Sequence, residues 1–318
     1  MTDHLHVDET AAISLRGVCK HYGAVRAVDG VDLDVGYGEL FGLIGHNGAG
    51  KSTLFKMMLG LIPATVGSIR VAGASVRGAA FRAARRQIGY LPENLVLYDN
   101  LSGLETLRFF AKLKGAPAAD CASLLARVGL AGAVDQPVRA YSKGMRQRLG
   151  FAQALLGAPR VLFLDEPTNG LDPAAIHDFY ATLQALREQG VTILITSHIL
   201  AELQQRIDRL AILADGRVLA LGSVAALRAQ ADLPLTLALR VEAGARGALW
   251  AQLAPLRAHG AEIVDGQAGH EVMLRCSRSL KMDVLQALQP LGGRLLDLQI
   301  HEPSLEDVFF GLRQTEAA

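Results

Sequence analysis

Short apolar runs rich in Val, Ile and Leu alternate along the chain with segments whose apolar positions recur at helical spacing. That alternation predicts a parallel sheet flanked by helices. Residues 39–44 read as a buried strand feeding a Gly-rich turn, with a helix starting at about Lys51. Ser102 and Glu105 form a capping-box pair that opens an amphipathic helix with Leu104, Leu107, Phe110 and Leu113 on one side. A second helix is predicted over 119–128. Residues 161–165 read as a strand, and Asp172 caps a helix with Pro173 at its first position that ends at Gly190. Residues 191–197 form another buried strand, and Asp215-Gly216 between apolar runs is a hairpin signal.

The pattern changes around 223–234. Beyond it the chain reads as strand 235–242, helix 246–258, strands 261–265 and 270–276, helix 278–290, strand 294–301 and a last helix 303–313. That β-α-β-β-α-β order suggests a small ferredoxin-like module. The predicted domains are therefore 1–228, with a helical subdomain at about 92–156, and an accessory α+β domain at 229–318.

Composition narrows the class. Of 318 residues, 50% are hydrophobic, enough for a full buried core rather than disorder. Mean hydropathy is +0.24, yet no window holds the roughly 18 consecutive apolar residues of a membrane-spanning helix. The acidic start MTDHLHVDET has no apolar stretch, which argues against a secretory signal. Lys and Arg total 32 against 31 Asp and Glu, with no basic stripe, so nothing points to nucleic acid. Cys19, Cys121 and Cys276 lie far apart, which supports neither a disulfide framework nor a Cys-x-x-Cys metal site and reads as reduced cytosolic thiols. His4 and His6 read as part of a tail, and His259, His270 and His301 as scattered module residues.

Gly45-His46-Asn47-Gly48-Ala49-Gly50-Lys51-Ser52 fits G-x-x-x-x-G-K-[ST] between a predicted strand and a predicted helix. Glycines let backbone N–H groups and the helix N-terminus converge on a polyphosphate. Lys51 can reach the β/γ-phosphates, the Ser52 hydroxyl can ligate Mg²⁺, and Thr53 adds a donor. The apolar strand 161–164 ends in Asp165 and Glu166. Asp165 is placed to hold Mg²⁺ through Ser52 or water, and Glu166 to act as general base on the attacking water. Tyr141-Ser142-Lys143-Gly144-Met145 precedes a long helix. Ser142 is a good cap, and the Gly144 backbone can approach a ligand, making a second anion-shaped helix N-terminus. One chain thus carries two γ-phosphate-sized elements but a single P-loop.

With those motifs the chain resembles the ATPase subunit of an ABC transporter, over about 14–224. Tyr141 to Met145 resembles the family signature LSGGQ, with Tyr, Lys and Met replacing Leu, the first Gly and Gln. The resemblance implies a P-loop NTPase of the ABC type: a RecA-like core, an antiparallel β subdomain and a helical subdomain. It implies a head-to-tail homodimer binding two ATP, in which Ser142 and Gly144 of one copy close over ATP on the other copy's P-loop. Tyr22 matches the aromatic on which adenine stacks. His198 matches the switch histidine at the γ-phosphate, and Asn169-Gly170-Leu171-Asp172 the loop where the copies touch. Glu93 stands where the family has a Gln that bridges metal or water to the transporter contact; a carboxylate keeps a hard oxygen ligand there. The segment 95–98 is apolar, with packing against a membrane partner and internal packing both open.

The C-terminal module and residues 302–309 resemble exporters whose membrane subunit is a separate polypeptide. Leu91-Pro92-Glu93-Asn94, Leu101-Ser102-Gly103, Leu113-Lys114-Gly115 and 141–149 are similar to the ATPase family that serves copper-centre maturation of nitrous oxide reductase. That likeness implies a separate permease engaging a periplasmic β-helix protein, a cargo connected with copper or sulfur, and a place on the cytoplasmic face of the inner membrane. The alternatives are a drug- or polysaccharide-type exporter ATPase, a soluble ABC ATPase acting on DNA or ribosomes, and a small-molecule P-loop kinase. The soluble class usually carries two cassettes, coiled-coil insertions or basic arms, which this chain lacks. The kinase would need neither Ser142–Met145 nor Glu166.

Overall fold

Runs that are apolar on both faces form the central sheet, because parallel strands covered by helices have no solvent face. In the computed structural model, which describes residues 11–197, 203–231, 233–265, 271–304 and 307, this sheet holds six strands. They are β3 (Leu40–Ile44), β6 (Ile88–Leu91), β7 (Val161–Asp165), β8 (Thr192–Ser197), β9 (Arg209–Ala214) and β10 (Arg217–Gly222). Their order is β10-β9-β3-β8-β7-β6, and only the β9–β10 pairing is antiparallel. Every residue of β3, β7 and β8 is buried. The Asp215-Gly216 hairpin closes as read, with both residues at positive φ (48° and 79°), as a type I′ turn requires.

A second, antiparallel sheet is built from β1 (Ala11–Tyr22), β2 (Val25–Gly36), β4 (Val66–Val71) and β5 (Ala74–Ser75), in the order β2-β1-β4-β5. Helix α1 (Lys51–Met58) follows the P-loop; its Phe55 meets Phe163 of β7 edge to face with ring centroids 5.4 Å apart. The pair lies in a core that residues of both sheets share. After the short α2 (Phe81–Ala84) and β6 comes a helical layer: α3 (Gly103–Lys114), α4 (Asp120–Arg127) and α5 (Lys143–Leu155). Helix α6 (Pro173–Glu188) then crosses from β7 to β8.

Both arms of the α3 capping box are present: Glu105 N donates to Ser102 Oγ and Ser102 N donates to the Glu105 carboxylate. The buried stripe differs from the one periodicity suggested. Gly103, Leu107 and Ala111 face inward, while Leu113 is 69% exposed. The facing surface of α4 and α5 selects that arc, and Tyr141 selects its first member. A side chain at Gly103 would place Cβ 2.1 Å from the Tyr141 hydroxyl.

The chain divides between Ser223 and Val224 into two compact units. The second contains α7 (Val224–Ala231), β11 (Leu235–Val241), α8 (Arg246–Leu253), β12 (Glu262–Asp265), β13 (Glu271–Cys276), α9 (Lys281–Leu288) and β14 (Leu295–His301). Its sheet runs β12-β13-β11-β14, antiparallel throughout, the arrangement of a split βαβ pair. The helix predicted over 246–258 turns 3₁₀ from Ala254, and the one over 278–290 is α-helical only from Lys281 to Leu288. Pro255 and Pro290 remove the amides that would have continued each α-helix. The helix read over 303–313 falls almost wholly outside the described residues. No helix of the described residues is long and apolar enough to cross a membrane.

Candidate nucleotide site

The loop between β3 and α1 can curl only where side chains are missing. A Cβ at Gly45 would stand 2.4 Å from the Leu213 carbonyl oxygen, and one at Gly50 would stand 2.5 Å from that of Ala27. Gly48 and Gly50 have φ of 87° and 103°, outside the range L-residues favour. Lys51 is buried, and its Nζ donates to the carbonyls of Gly45 and His46 at 2.5 and 3.1 Å. The His46 ring pairs through Nδ1 with the Asn47 carbonyl at 2.7 Å. Ala49 N donates back to His46 O, and Ala49 O accepts from Gly216 N, so the hairpin turn braces the loop. The first turn of α1 holds no acidic residue, which leaves its N-terminus free to face an anion.

Opposite the loop, β7 ends at the buried Asp165 and Glu166. A polar cleft of about 230 Å³ is lined by Ala27, Asn47, Gly48, Gly50, Lys51, Ser52, Thr53, Glu93, Asp165 and Glu166. Burial raises the pKa of Asp165, with the charges of Glu93 and Glu166 adding to it; the Thr196 hydrogen bond and Lys51 oppose the shift. Burial lowers the pKa of Lys51, and the same three carboxylates push it back up. Tyr90, behind them, is pushed up to about 12 by burial and by Asp165 and Glu93. The cleft therefore concentrates three acids against one lysine, which suits a hard divalent cation.

Thr196 is the residue that the sequence reading missed. Its fully buried hydroxyl donates to Asp165 Oδ1 at 2.7 Å and accepts from Glu166 N at 2.9 Å. One side chain on β8 thus holds the Asp165 carboxylate and the backbone of Glu166 together. It also holds Glu166 at φ 49°, a left-handed conformation costly for a non-Gly residue. A buried hydroxyl directly after the apolar run 193–195, at the end of the strand beside the acid pair, was the available signal. Thr196→Val is expected to lower kcat about tenfold, roughly 1.4 kcal/mol in the barrier, and to raise the Mg²⁺ concentration needed for half-maximal rate. Thr196→Ser should restore both. Steady-state phosphate release across a Mg²⁺ series measures this; a Ser variant no better than Val would refute the role.

The second phosphate-sized element forms as read: Ser142 caps α5, its Oγ accepting from Met145 N at 3.2 Å. Ser142 and Gly144 do not line the cleft of their own chain. Gly144 instead lies against the loop after β7, where an added Cβ would be 3.3 Å from Gly170 O. Tyr141, in the family's Leu position, is buried and donates its hydroxyl to Ala133 O. The stem of Lys143 covers Gly170, whose φ of 84° and lack of a Cβ make room for it. Gln147 Nε2 donates to Pro167 O at 2.9 Å, tying α5 to the segment that follows Glu166. Asp172 caps α6 through Ala175 N. Tyr22, at the end of β1, is about half exposed, with Lys20 Nζ 5.0 Å from its ring centroid; it does not line the cleft either. His198 lies outside the described residues.

A P-loop on a buried parallel sheet, an acid pair at the end of the strand two places along it and a capped helix of signature type define an ATP-binding cassette. Comparison with known proteins agrees. The family model "ABC transporter" matches residues 28–169. A daunorubicin resistance ATP-binding protein of Streptomyces coeruleorubidus is 36% identical over 95% of this chain and 95% of its own length. A solved ATP-binding subunit of an ABC transporter is 34% identical, covers 69% of this chain with 92% of its own, and superposes with a TM-score of 0.63. A dimeric ATP-binding cassette bound to ADP and Pi, MJ0796, shares the fold at 24% identity and TM-score 0.62, covering 67% of this chain and 98% of its own. The chain belongs to the family of ABC transporter ATP-binding proteins, ATPases with the P-loop NTPase fold of that class.

Proposed function

We propose that this chain is the ATP-hydrolysing subunit of a transporter whose pore is a separate permease, and that it works as a head-to-tail pair of copies. The observation that carries this is the division of labour within one chain. One cleft gathers the P-loop, Glu93, Asp165 and Glu166, while Ser142 and Gly144 lie outside its lining. A second copy supplies the missing clamp. In this reading the backbone of 45–50 and the side chains of Lys51, Ser52 and Thr53 hold the triphosphate, and Tyr22 stacks on adenine. Ser52, Asp165 and Glu93 provide oxygen ligands for Mg²⁺, which neutralises charge on the phosphates when bound. Glu166 takes the proton of the attacking water, and His198 orients that water.

An apolar surface supports docking on a permease. The segment 95–98 splits: Leu95 packs inward over Gly150, while Val96 is 91% exposed and Tyr98 stands edge to face with Phe109 at 5.7 Å. Leu113 is exposed on the same helix as Phe109. Exposed apolar side chains so close together are the kind of surface that a partner covers. The C-terminal unit acts as an accessory or regulatory piece, and the assembly sits on the cytoplasmic face of the inner membrane. For the cargo, the likeness of 91–94, 101–103, 113–115 and 141–149 favours copper or sulfur supply for nitrous oxide reductase, with a periplasmic β-helix protein beyond the permease. The end-to-end match to a drug resistance ATP-binding protein favours a second reading, drug-type export.

The pairing is tested in a Glu166→Gln background with Mg-ATP. Adding Ser142→Arg should abolish the ATP-dependent dimer in size-exclusion chromatography while the monomer still binds ATP. A dimer that survives Ser142→Arg would contradict the trans clamp.

A further inference from the structure

Strands β1 and β2 meet with an irregular register between Val18 and His21, and there the structure gathers three groups of metal-ligand type. Cys19 and His21 lie two apart on β1, and Asp29 comes from the opposing strand. Cys19 Sγ, a His21 ring nitrogen and an Asp29 carboxylate oxygen all lie within 4.8 Å of one another. All three residues are half-buried. Tetrahedral Zn²⁺ holds ligand atoms at 2.0–2.3 Å, so side-chain shifts of about 1 Å close the set around one ion.

Two further features are those of a site already supported from outside. Gly30 N donates to Cys19 Sγ at 3.1 Å, the backbone contact that stabilises a thiolate ligand. Arg217 Nε and a terminal nitrogen both reach Asp29 Oδ2, at 3.0 and 2.6 Å, and Arg26 lies 3.5 Å from the same oxygen. These cations keep the carboxylate ionised, lowering its pKa, chiefly through the Arg217 hydrogen bond. His21 Nε2 is shielded from solvent and has no hydrogen-bond partner among the described residues. A buried imidazole nitrogen without a partner is costly unless something fills its lone pair or accepts its proton.

We propose that Cys19, His21 and Asp29 form a binding site for a borderline-soft divalent cation of the Zn²⁺ type, completed by water. The ion pins β1 to β2 where their register is irregular. The Cys19 thiolate and the Asp29 carboxylate, the latter shared with Arg217 and Arg26, supply the anionic ligands, and the mixed sulfur, nitrogen and oxygen set selects Zn²⁺ over the Mg²⁺ that an all-oxygen cleft takes. The spacing Cys-x-His conceals the site in the sequence because the third ligand is on the neighbouring strand.

The test titrates the full-length, metal-stripped protein with Zn²⁺ alone, and with Co²⁺ as a coloured surrogate, without nucleotide. One equivalent should bind, Co²⁺ should give a thiolate charge-transfer band, and Tm should rise with Zn²⁺ concentration. Cys19→Ser and His21→Ala should each weaken binding by at least 10–100-fold and abolish the charge-transfer band and the Tm rise. Asp29→Asn should weaken binding while retaining the band. Circular dichroism confirms that each variant is folded; if Cys19→Ser is not, alkylation of Cys19 protected by Zn²⁺ in the unaltered protein replaces it. Absence of stoichiometric binding overturns the proposal. So does binding that survives the Cys19→Ser/His21→Ala pair, or binding lost only in a His4→Ala/His6→Ala variant.

Discussion

Replacing Glu166 by Gln should stop hydrolysis while leaving ATP bound. The substitution keeps size and shape in a buried position, and the backbone hydrogen bond from Glu166 N to Thr196 does not involve the side chain. What is lost is the capacity to accept a proton. General-base catalysis is worth roughly 10²–10⁴-fold, so phosphate release should fall by that factor. Binding rests on the P-loop and helix α1, which the change leaves intact, and one negative charge fewer in a cleft that already holds Asp165 and Glu93 favours the polyanion. Equilibrium binding of a fluorescent ATP analogue should show equal or tighter affinity beside the collapsed rate. A Gln variant that turns over within threefold of the unaltered protein would remove Glu166 from its role.

The second large effect is expected at Gly50. An alanine there forces φ near 103° on an L-residue and drives its methyl to 2.5 Å from the Ala27 carbonyl oxygen, on a neighbouring strand that cannot retreat cheaply. The strain and the backbone clash together cost about 3 kcal/mol or more. Relief by shifting the loop disperses the N–H groups meant for phosphate, and affinity for ATP should fall at least tenfold. Gly48→Ala is the matched control. Its φ of 87° is also strained, but nothing lies within 4 Å of the added methyl. It should cost about 1–2 kcal/mol. Thermal melts and ATP binding on the two variants decide the matter: equal losses would mean that the close approach of Ala27 is irrelevant.

Local signals were the legible ones. The Ser102 and Asp172 caps, the Asp215-Gly216 turn and the strand-to-helix passage at Lys51 depend on residues a few positions apart, and each formed where the pattern placed it. Gly45 to Ser52 and Asp165-Glu166 stood out as candidate segments for the same reason, and the fold brings both of them and Glu93 to one cleft. What escaped depended on partners distant in sequence. Thr196 acquires meaning only when β8 lies beside β7. Gly103 must be Gly because Tyr141 occupies the space above it. Leu113 satisfied the helical period yet faces outward, because α4 and α5 cover a different arc of α3.

The buried amide of Gln147 has one more implication. It sits on the helix that carries Ser142, and its hydrogen bond ends on the carbonyl next to Glu166. Any swing of that helix therefore pulls on the stretch that bears Glu166. Under the proposed pairing, a partner arriving at Ser142 would be felt at Glu166 through this hydrogen bond and through the packing of Lys143 and Gly144 on Gly170.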